Sequence, residues 1–340
     1  MTPGRGFRTL WRRPLHQRGS ASALAIVPGH LLVHERHTRL VDLDPTDGVA
    51  RWEVPIGTWP RDVVVDGTQC WVISQDRDEL RCLDLHSGEV RWSAALPRWT
   101  AQVVVVGDVV LVGGWRGYTA LRAFDRWDGT PRWKSPDRVR TVLPARVGDG
   151  PQVLTGGHDD NSVRLLDVRD GAEITRWAVP EPICAVDSGP AFAAVGEDRF
   201  LIRCGERTVW QIRPGADEAG EFFRHDRALV VTSPYPCGPT VWVREVGGGV
   251  VALDAATGQP RWRVDLGRAT ADGVVPTGAG YVLAAVRPGT LSLVDATGAV
   301  VDRVHVDQQV GGLRDLAADT LLVVGKGSLT AGNWDTQWDG

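Results

Sequence analysis

The sequence lacks the features by which membrane, nucleic-acid-binding and disulfide-rich proteins are usually recognised. No apolar run approaches the roughly 18 residues of a transmembrane helix. The formal net charge is only −4 and no basic stripe is present, so we expect no nucleic-acid partner. The five cysteines are scattered, without a Cys-x-x-Cys pair, and we interpret them as buried thiols in a reducing compartment. These absences lead us to expect a cytoplasmic protein with no membrane contact.

Signals of export, catalysis and cofactor binding are also scarce. Residues 1–18 are rich in arginine but contain no apolar segment, so we expect no secretory signal. No Ser-His-Asp set and no glycine-rich phosphate loop can be identified with any specificity. The sequence therefore predicts no metal and no cofactor, and we expect a monomer.

What the chain does contain is a repeated Asp-Gly-Trp pattern, whose clearest copy occupies residues 253–262. Similar copies end at Trp52, Trp92, Trp133 and Trp177, and weaker copies surround Trp210 and Asp302. With Trp11, the tryptophans in phase recur about every 42 residues, a period typical of a β-propeller or another toroidal array.

Each repeat predicts four short β-strands, as residues 68–92 illustrate. This stretch contains a run of β-forming residues and then a segment that alternates apolar and polar positions. Asp84 can accept N–H bonds from the residues that follow it, and Gly88 permits the positive φ that a short turn requires. The apolar run upstream, over residues 63–65, is expected of a strand buried on both faces. Four strands in one period correspond to one propeller blade.

The number of repeats predicts an all-β, eight-bladed β-propeller with four-stranded antiparallel blades, formed by residues 1–340 as one domain. The region after Asp302 supplies only three strands of the last blade. We expect an N-terminal strand over residues 7–11 to complete it, which would remove two exposed sheet edges. Seven blades are the alternative, if the irregular region 205–250 forms no blade of its own.

The Leu-Asp-x-x-Thr-Gly-x-x-x-Trp repeats resemble those of the pyrroloquinoline-quinone-type β-propeller family over nearly the whole chain. That family includes quinoprotein dehydrogenases, an outer-membrane assembly lipoprotein and many bacterial sensor and scaffold proteins. The resemblance implies that the repeated tryptophans pack between neighbouring blades; these are Trp52, Trp92, Trp133, Trp177 and Trp262. It does not extend to the adjacent cysteines and calcium ligands of the dehydrogenases, and this departure implies a cofactor-free protein.

Binding residues are expected on one face of the ring, which we call the top face. It carries the loops that enter each innermost strand and the loops between the second and third strands. Aromatic residues there that are out of phase with the repeat are not required by the blades, and they could stack on a ligand or anchor a peptide. The predicted ligand-binding residues are Trp59, Arg61, Trp99, Gln102, Trp115, Tyr118, Arg140 and Phe223. Packing of the same aromatic side chains on loop backbones is the alternative.

Three residues of these loops are candidates for acid–base catalysis: His158, Asp160 and His34. His158 precedes a run of acidic residues, and a histidine beside carboxylates can act as a general base. A polar turn would have the same composition. His34 and His37 have the spacing of a metal-binding pair on a turn, but no third ligand is evident.

Two functions of different class are compatible with these observations. The first is a cofactor-free binding scaffold that holds a protein or small-molecule partner on the top-face funnel. The second is a lyase, cyclase or isomerase of bacterial specialised metabolism, with a histidine in the funnel as its acid–base group. An enclosed apolar pocket containing a histidine paired with a carboxylate would favour the enzyme, and an open face would favour the scaffold.

Overall fold

A computed structural model describes residues 6–16, 21–35, 39–56, 60–74, 78–98, 100–114, 120–135, 141–157, 161–184, 191–317 and 319–335. These residues form 32 β-strands in eight antiparallel sheets of four strands each. The predicted all-β, eight-bladed β-propeller is therefore confirmed, and the seven-bladed alternative is wrong. Within these ranges no helix is long and apolar enough to cross a bilayer.

The first strand, β1 (Gly6–Pro14), belongs to the last blade, and the following sixteen strands form the first four blades. Blade 1 comprises β2 (Ala21–Val27), β3 (His30–Glu35), β4 (Arg39–Leu43) and β5 (Ala50–Pro55). Blade 2 comprises β6 (Pro60–Asp66), β7 (Gln69–Ser74), β8 (Glu79–Asp84) and β9 (Val90–Ala95). Blade 3 comprises β10 (Thr100–Val106), β11 (Val109–Gly114), β12 (Arg122–Asp125) and β13 (Pro131–Lys134). Blade 4 comprises β14 (Thr141–Val147), β15 (Gln152–Gly157), β16 (Ser162–Asp167) and β17 (Glu173–Ala178).

The remaining strands form blades 5 to 8 in the same order, from the innermost strand outward. Blade 5 comprises β18 (Phe192–Ala194), β19 (Phe200–Cys204), β20 (Thr208–Ile212) and β21 (Gly220–Arg224). Blade 6 comprises β22 (Tyr235–Cys237), β23 (Thr240–Arg244), β24 (Gly249–Asp254) and β25 (Pro260–Asp265). Blade 7 comprises β26 (Val275–Thr277), β27 (Gly280–Ala285), β28 (Thr290–Val294) and β29 (Val300–His305). Blade 8 comprises β30 (Val310–Ala317), β31 (Thr320–Gly325), β32 (Ser328–Asp335) and β1.

The ring is closed by β1, which pairs antiparallel with β32 as the outermost strand of blade 8. Phe7 lies opposite Trp334, and Trp11 lies opposite Ala331. The predicted closing strand over residues 7–11 is thus confirmed, although β1 is longer than expected. Because the first and last described strands pair in one sheet, β1 covers the edge of β32 that would otherwise be open to another chain.

The core consists of eight clusters of buried apolar side chains among the described residues, one between each pair of neighbouring blades. The cluster between blades 8 and 1 contains Trp11 and Leu316 from one blade and Leu31 from the other. Each blade is therefore stabilised by burying both faces against its neighbours.

The acidic residue of each repeat shapes the turn between the third and fourth strands. In blade 6, Oδ1 of Asp254 accepts the N–H groups of Ala256 and Thr257 at 3.0 and 2.9 Å, and its Oδ2 accepts a bond from Arg261 at 2.6 Å. These bonds lower the pKa of Asp254 to about 2, and the bond with Arg261 has the largest effect. Gly258 closes the turn with a φ of +76°, which residues with a β-carbon rarely adopt.

The repeated tryptophan packs beneath the turn of the next blade. Trp92 donates its indole N–H to the carbonyl of Arg126 at 3.0 Å, and a β-carbon added to Gly129 would lie 2.5 Å from the indole ring. Equivalent indole-to-carbonyl bonds are made by Trp11, Trp52, Trp133 and Trp177. Trp262 packs in the same way, since a β-carbon on Gly298 would lie 2.7 Å from its ring. The expectation that Trp52, Trp92, Trp133, Trp177 and Trp262 pack between blades is therefore confirmed.

Blade 5 departs from the predicted phase. Trp210 lies in β20, the third strand, and not in the outermost strand that holds the other repeated tryptophans. Phe222, in β21, packs where a tryptophan would be expected, since a β-carbon on Gly258 would meet the backbone and ring of Phe222. The assignment of Trp210 to the repeat series is therefore wrong. The phenylalanine preserves the packing without preserving the sequence pattern.

Candidate functional site

Most of the predicted site residues cannot be placed. Seven of them lie outside the described residues, namely Trp59, Trp99, Trp115, Tyr118, Arg140, His158 and Asp160. Arg61 belongs to β6, but its side chain is outside the described part of the chain. Their roles in binding or catalysis stay predictions.

The structure places Gln102 and His34 inside strands. Gln102 lies in β10, the innermost strand of blade 3, with 8% of its surface exposed. His34 lies in β3, paired with Leu40 of β4, and is completely buried. The prediction that His34 occupies a turn is wrong, because the strand continues one residue beyond it. A substrate would not reach its imidazole in this conformation.

Phe223 lies in the outermost strand of blade 5, and the prediction of a loop entering an innermost strand is wrong. It packs with Phe222 and Leu253 in the cluster between blades 5 and 6. The error has the same origin as that for Trp210, since both follow from the shifted phase of blade 5.

A recess on the top face, between blades 6 and 7, brings together aromatic and charged side chains. Blade 6 contributes Tyr235, Trp242 and Arg244 to its lining. The segment that enters blade 7 contributes Thr270 and Asp272. Asp272 belongs to one of the loops predicted to form the top face, although it was not among the predicted binding residues.

Two arginines share one carboxylate at this recess. Arg244 donates from Nη2 to Oδ1 of Asp272 at 3.1 Å and from Nη1 to the carbonyl of Thr270 at 3.0 Å. Arg314, from the innermost strand of blade 8, donates from Nη2 to Oδ2 of Asp272 at 2.9 Å. The Arg244 side chain is only 15% exposed, and this burial lowers its pKa while Asp272 acts in the opposite direction. The three side chains together carry one surplus positive charge.

Two further ionisable groups border this cluster. Burial raises the pKa of the Tyr235 hydroxyl, with an opposing contribution from Arg314. Burial also raises the pKa of Asp315, and the nearby Asp319 adds to this effect. Within the described residues, Asp315 makes no ion pair with either arginine. The surplus charge of the arginines is therefore not cancelled by a direct contact.

Two residues that line the recess each have a buried polar atom without a hydrogen-bond partner among the described residues. These atoms are the indole Nε1 of Trp242 and the hydroxyl Oγ1 of Thr270. Trp242 is 1% exposed and Thr270 is 9% exposed, so the protein itself encloses both groups. Leaving a buried polar group unpaired costs about 1–3 kcal/mol, and native proteins rarely contain such groups without a water or ligand.

Two exposed apolar side chains lie on top-face loops next to the end of β23, although neither lines the recess. Val231 and Val246 are 53% and 64% exposed. Their loops are attached to the end of β23 and to each other. Val230 donates its N–H to the Arg244 carbonyl at 2.8 Å, and Val246 donates to Ala228 at 2.9 Å. The two valines thus lie on anchored backbone beside Arg244.

The loop that carries Val246 is anchored by a buried carboxylate. Glu245 accepts bonds from Nε and Nη2 of Arg263 at 2.6 and 2.7 Å, and from Nε2 of His225 at 2.8 Å. The Arg263 bonds are the main cause of the lowered pKa of Glu245. Neither His225 nor Glu245 lines the recess. We therefore interpret this histidine–carboxylate pair as structural.

A second histidine–carboxylate pair lies on the opposite, bottom face. Nδ1 of His30 lies 2.7 Å from Oδ2 of Asp42, whose side chain is completely buried. Neither residue is near the recess. In the part of the chain that the structure describes, no group of three or more His, Cys, Asp or Glu side chains is arranged to hold a metal ion.

Sequence reasoning missed Arg244 and Arg314. Both belong to strands, β23 and β30, in which a charged residue is usually interpreted as facing solvent. An arginine at the last position of a second strand, next to the top-face turn, was the available signal for Arg244. No feature of the sequence pairs Arg314 with Asp272.

The closed ring and its indole contacts define the class of this protein as an eight-bladed β-propeller built from Asp-Gly-Trp repeats. The chain belongs to the PQQ-like repeat family described as outer membrane protein assembly factor BamB, whose profile matches residues 7–93, 58–182 and 246–337. The resemblance drawn from the repeats is thereby confirmed. Among curated protein sequences, none is significantly similar to the chain.

Solved structures with the same fold differ widely in sequence. BamB from Moraxella catarrhalis is 17% identical with a TM-score of 0.77, and the alignment covers 98% of this chain and 99% of that one. The computationally designed Ika8 protein is 13% identical with a TM-score of 0.74, over 97% and 100% of the two chains. Saccharomyces cerevisiae Sqt1 is 7% identical with a TM-score of 0.75, over 97% and 99%. At these identities the likeness concerns the fold alone.

Proposed function

We propose that the protein is a binding scaffold that holds a partner protein on its top face, at the recess between blades 6 and 7. The observation that carries the proposal is a surplus guanidinium charge and unpaired buried polar atoms at this recess, with exposed valines on the loops that follow β23 and precede β22. Protein-binding sites typically contain a few anchor residues, enriched in Trp, Tyr and Arg, at a desolvated centre, and this recess is lined by Trp242, Tyr235 and Arg244. A family described as an assembly factor is consistent with this role.

The rigidity of the site supports binding without rearrangement. Arg244 and Asp272 are fixed by bonds to neighbouring backbone or side chains, and the loop of Val246 is tied down through Glu245. A site that is already ordered loses little conformational entropy when a partner docks, so more of the contact energy appears as affinity.

An enzymatic function is less well supported by the described residues. The recess lining contains no histidine, and His34 is buried inside β3. His158 and Asp160 lie outside the described residues, so an acid–base role for them stays a prediction. We therefore favour the scaffold over the lyase, cyclase or isomerase.

The scaffold can be tested with peptides, before its partner is identified. A random peptide library displayed on phage would be selected against the intact protein, and the enriched peptides would be titrated by biolayer interferometry. Replacing Val231 and Val246 by Asp should weaken binding at least tenfold, which corresponds to about 1.4 kcal/mol. The matched control is Val49→Asp with Val90→Asp, two exposed valines of the bottom face. That double variant should bind like the wild type.

Two outcomes would refute the scaffold at this site. One is the absence of any peptide enriched above a control protein. The other is an equal loss of binding in both double variants, which would show that the peptides do not distinguish the top face from the bottom face.

A further inference from the structure

We propose that the recess between blades 6 and 7 accepts the carboxylate side chain of an aspartate or glutamate from the partner segment. This inference rests on the proposed scaffold function and adds the chemistry that the site selects. Arg244 is the residue that would contact the carboxylate. Arg314 would act indirectly, by sharing the charge of Asp272.

The charge balance at the recess favours an anionic group. Asp272 divides its two oxygens between Arg244 and Arg314, at 3.1 and 2.9 Å. One carboxylate therefore serves two guanidinium groups, and the partly buried Arg244 does not have a carboxylate of its own. An incoming carboxylate would supply the missing charge, in surroundings where charge-assisted hydrogen bonds are stronger than in water.

The hydrogen-bonding capacity of the lining favours a group that only accepts. The indole Nε1 of Trp242 can only donate, and the hydroxyl of Thr270 can donate as well. A guanidinium has five N–H groups, of which Arg244 uses two in its bonds to Thr270 and Asp272. An ionised carboxylate accepts on both oxygens and donates nothing, so it complements this set better than an amide or a hydroxyl does.

The shape of the site favours a side chain over a chain terminus. With 15% of its side chain exposed, Arg244 is reached only through a restricted opening. A glutamate or aspartate side chain projects its carboxylate beyond its own main chain, whereas a C-terminal carboxylate would have to bring the backbone with it. Val231 and Val246, exposed on backbone that is bonded next to Arg244, would contact an apolar residue near the acidic one. The recognised element is thus an acidic residue near an apolar one.

The acidic groups nearby argue against a dianionic ligand. Asp272 is half exposed, and Asp315 lies close to Tyr235. A phosphate group would bring a second negative charge against these carboxylates, while a single carboxylate is matched by the one surplus guanidinium charge.

The indole N–H of Trp242 provides a direct probe of the site. In the full-length, ¹⁵N-labelled protein its resonance can be assigned by comparison with Trp242→Phe. Titration with N-acetyl-glutamate N-methylamide should shift this resonance in a saturable manner. The matched ligand is N-acetyl-glutamine N-methylamide, which has the same shape without the charge. We expect the glutamate compound to bind at least tenfold more tightly.

Two variants separate recognition from folding. Thr270→Val keeps the volume of the side chain but removes its hydroxyl, and Arg314→Gln removes the charge that balances Asp272. Both should weaken binding of the glutamate compound at least threefold, while the indole resonance of the distant Trp92 stays in place. An unmoved Trp92 resonance reports that the ring is intact.

Several results would overturn the inference. These are an unshifted Trp242 resonance up to the solubility limit of the glutamate compound, equal binding of the glutamine compound, and tighter binding of N-acetyl-leucine or of N-acetyl-phosphoserine N-methylamide. N-acetyl-leucine would reveal a site for a chain terminus, and the phosphoserine compound a phosphate site. Because these titrations require no partner protein, their failure is distinguishable from failure of the peptide selection.

Discussion

Replacement of Trp92 by alanine tests whether the indole contacts between blades hold the ring together. Trp92 is 8% exposed and lies in the apolar cluster between blades 2 and 3. Emptying a buried aromatic site of this kind costs about 3–5 kcal/mol, since the cavity is only partly refilled. The substitution also removes the 3.0 Å bond to the Arg126 carbonyl, which places the expected loss at the upper end of that range. Domains have a total stability of about 5–15 kcal/mol, so the effect is a large fraction of it.

The measurement is guanidinium-induced unfolding followed by far-ultraviolet circular dichroism, because the substitution itself changes the fluorescence. The matched control is Trp127→Ala. Trp127 is 64% exposed, and its ring stacks on Arg126 at 5.2 Å in the turn that covers Trp92. We expect the control to lose less than about 1 kcal/mol. Similar losses of unfolding free energy in the two variants would refute the assignment of Trp92 to the blade contacts.

Two further predictions concern closure of the ring and a partly buried carboxylate in β6. Deleting residues 1–12 removes most of β1 and Trp11, so the melting temperature should fall by at least about 10 °C; a fall of a degree or two would contradict closure by this strand. In β6, burial raises the pKa of Asp62 to about 6, although its Oδ2 accepts the Val103 N–H at 3.0 Å. The raised folded-state pKa means that ionisation destabilises the fold progressively from about pH 4 to pH 6, so Asp62→Asn should stabilise the protein by about 1–3 kcal/mol at pH 7. The gain should vanish near pH 3, and equal gains at both pH values in denaturant titrations would contradict the burial argument.

The number and closure of the blades were predictable because local chemistry fixes them. Each turn needs an Asp that accepts the following N–H groups, a Gly at positive φ, and a Trp packed beneath the turn of the next blade. These requirements recur in most blades, so the sequence shows a regular period. Blade 5 was misread because Phe222 performs the packing of a tryptophan while Trp210 occupies a different strand. The packing site accepts Phe in place of Trp, but a repeat identified by its tryptophans does not include that Phe.

The recess could not be predicted in the same way. Asp272 and Arg314 belong to different blades, and their contact depends on the curvature of the ring. The sequence also does not reveal that Trp242 Nε1 is unpaired, because this depends on which acceptors the fold brings near that atom. Charge and aromatic content indicated the top face in general, but the particular residues required the arrangement of three neighbouring blades.

A comparison of two equivalent arginines explains why the recess forms beside blade 6. Arg203 in blade 5 and Arg244 in blade 6 both lie in the second strand, opposite Val209 and Val250 of the third. Arg203 is 2% exposed, and its Nη1 and Nη2 groups donate to the carbonyls of Thr208 and Glu206 in its own blade, with no carboxylate among these acceptors. Arg244 instead turns towards the next blade, where a shared carboxylate satisfies it only in part. The repeat thus provides a position for a buried arginine, and the neighbouring blade determines whether that arginine is structural or available to a ligand.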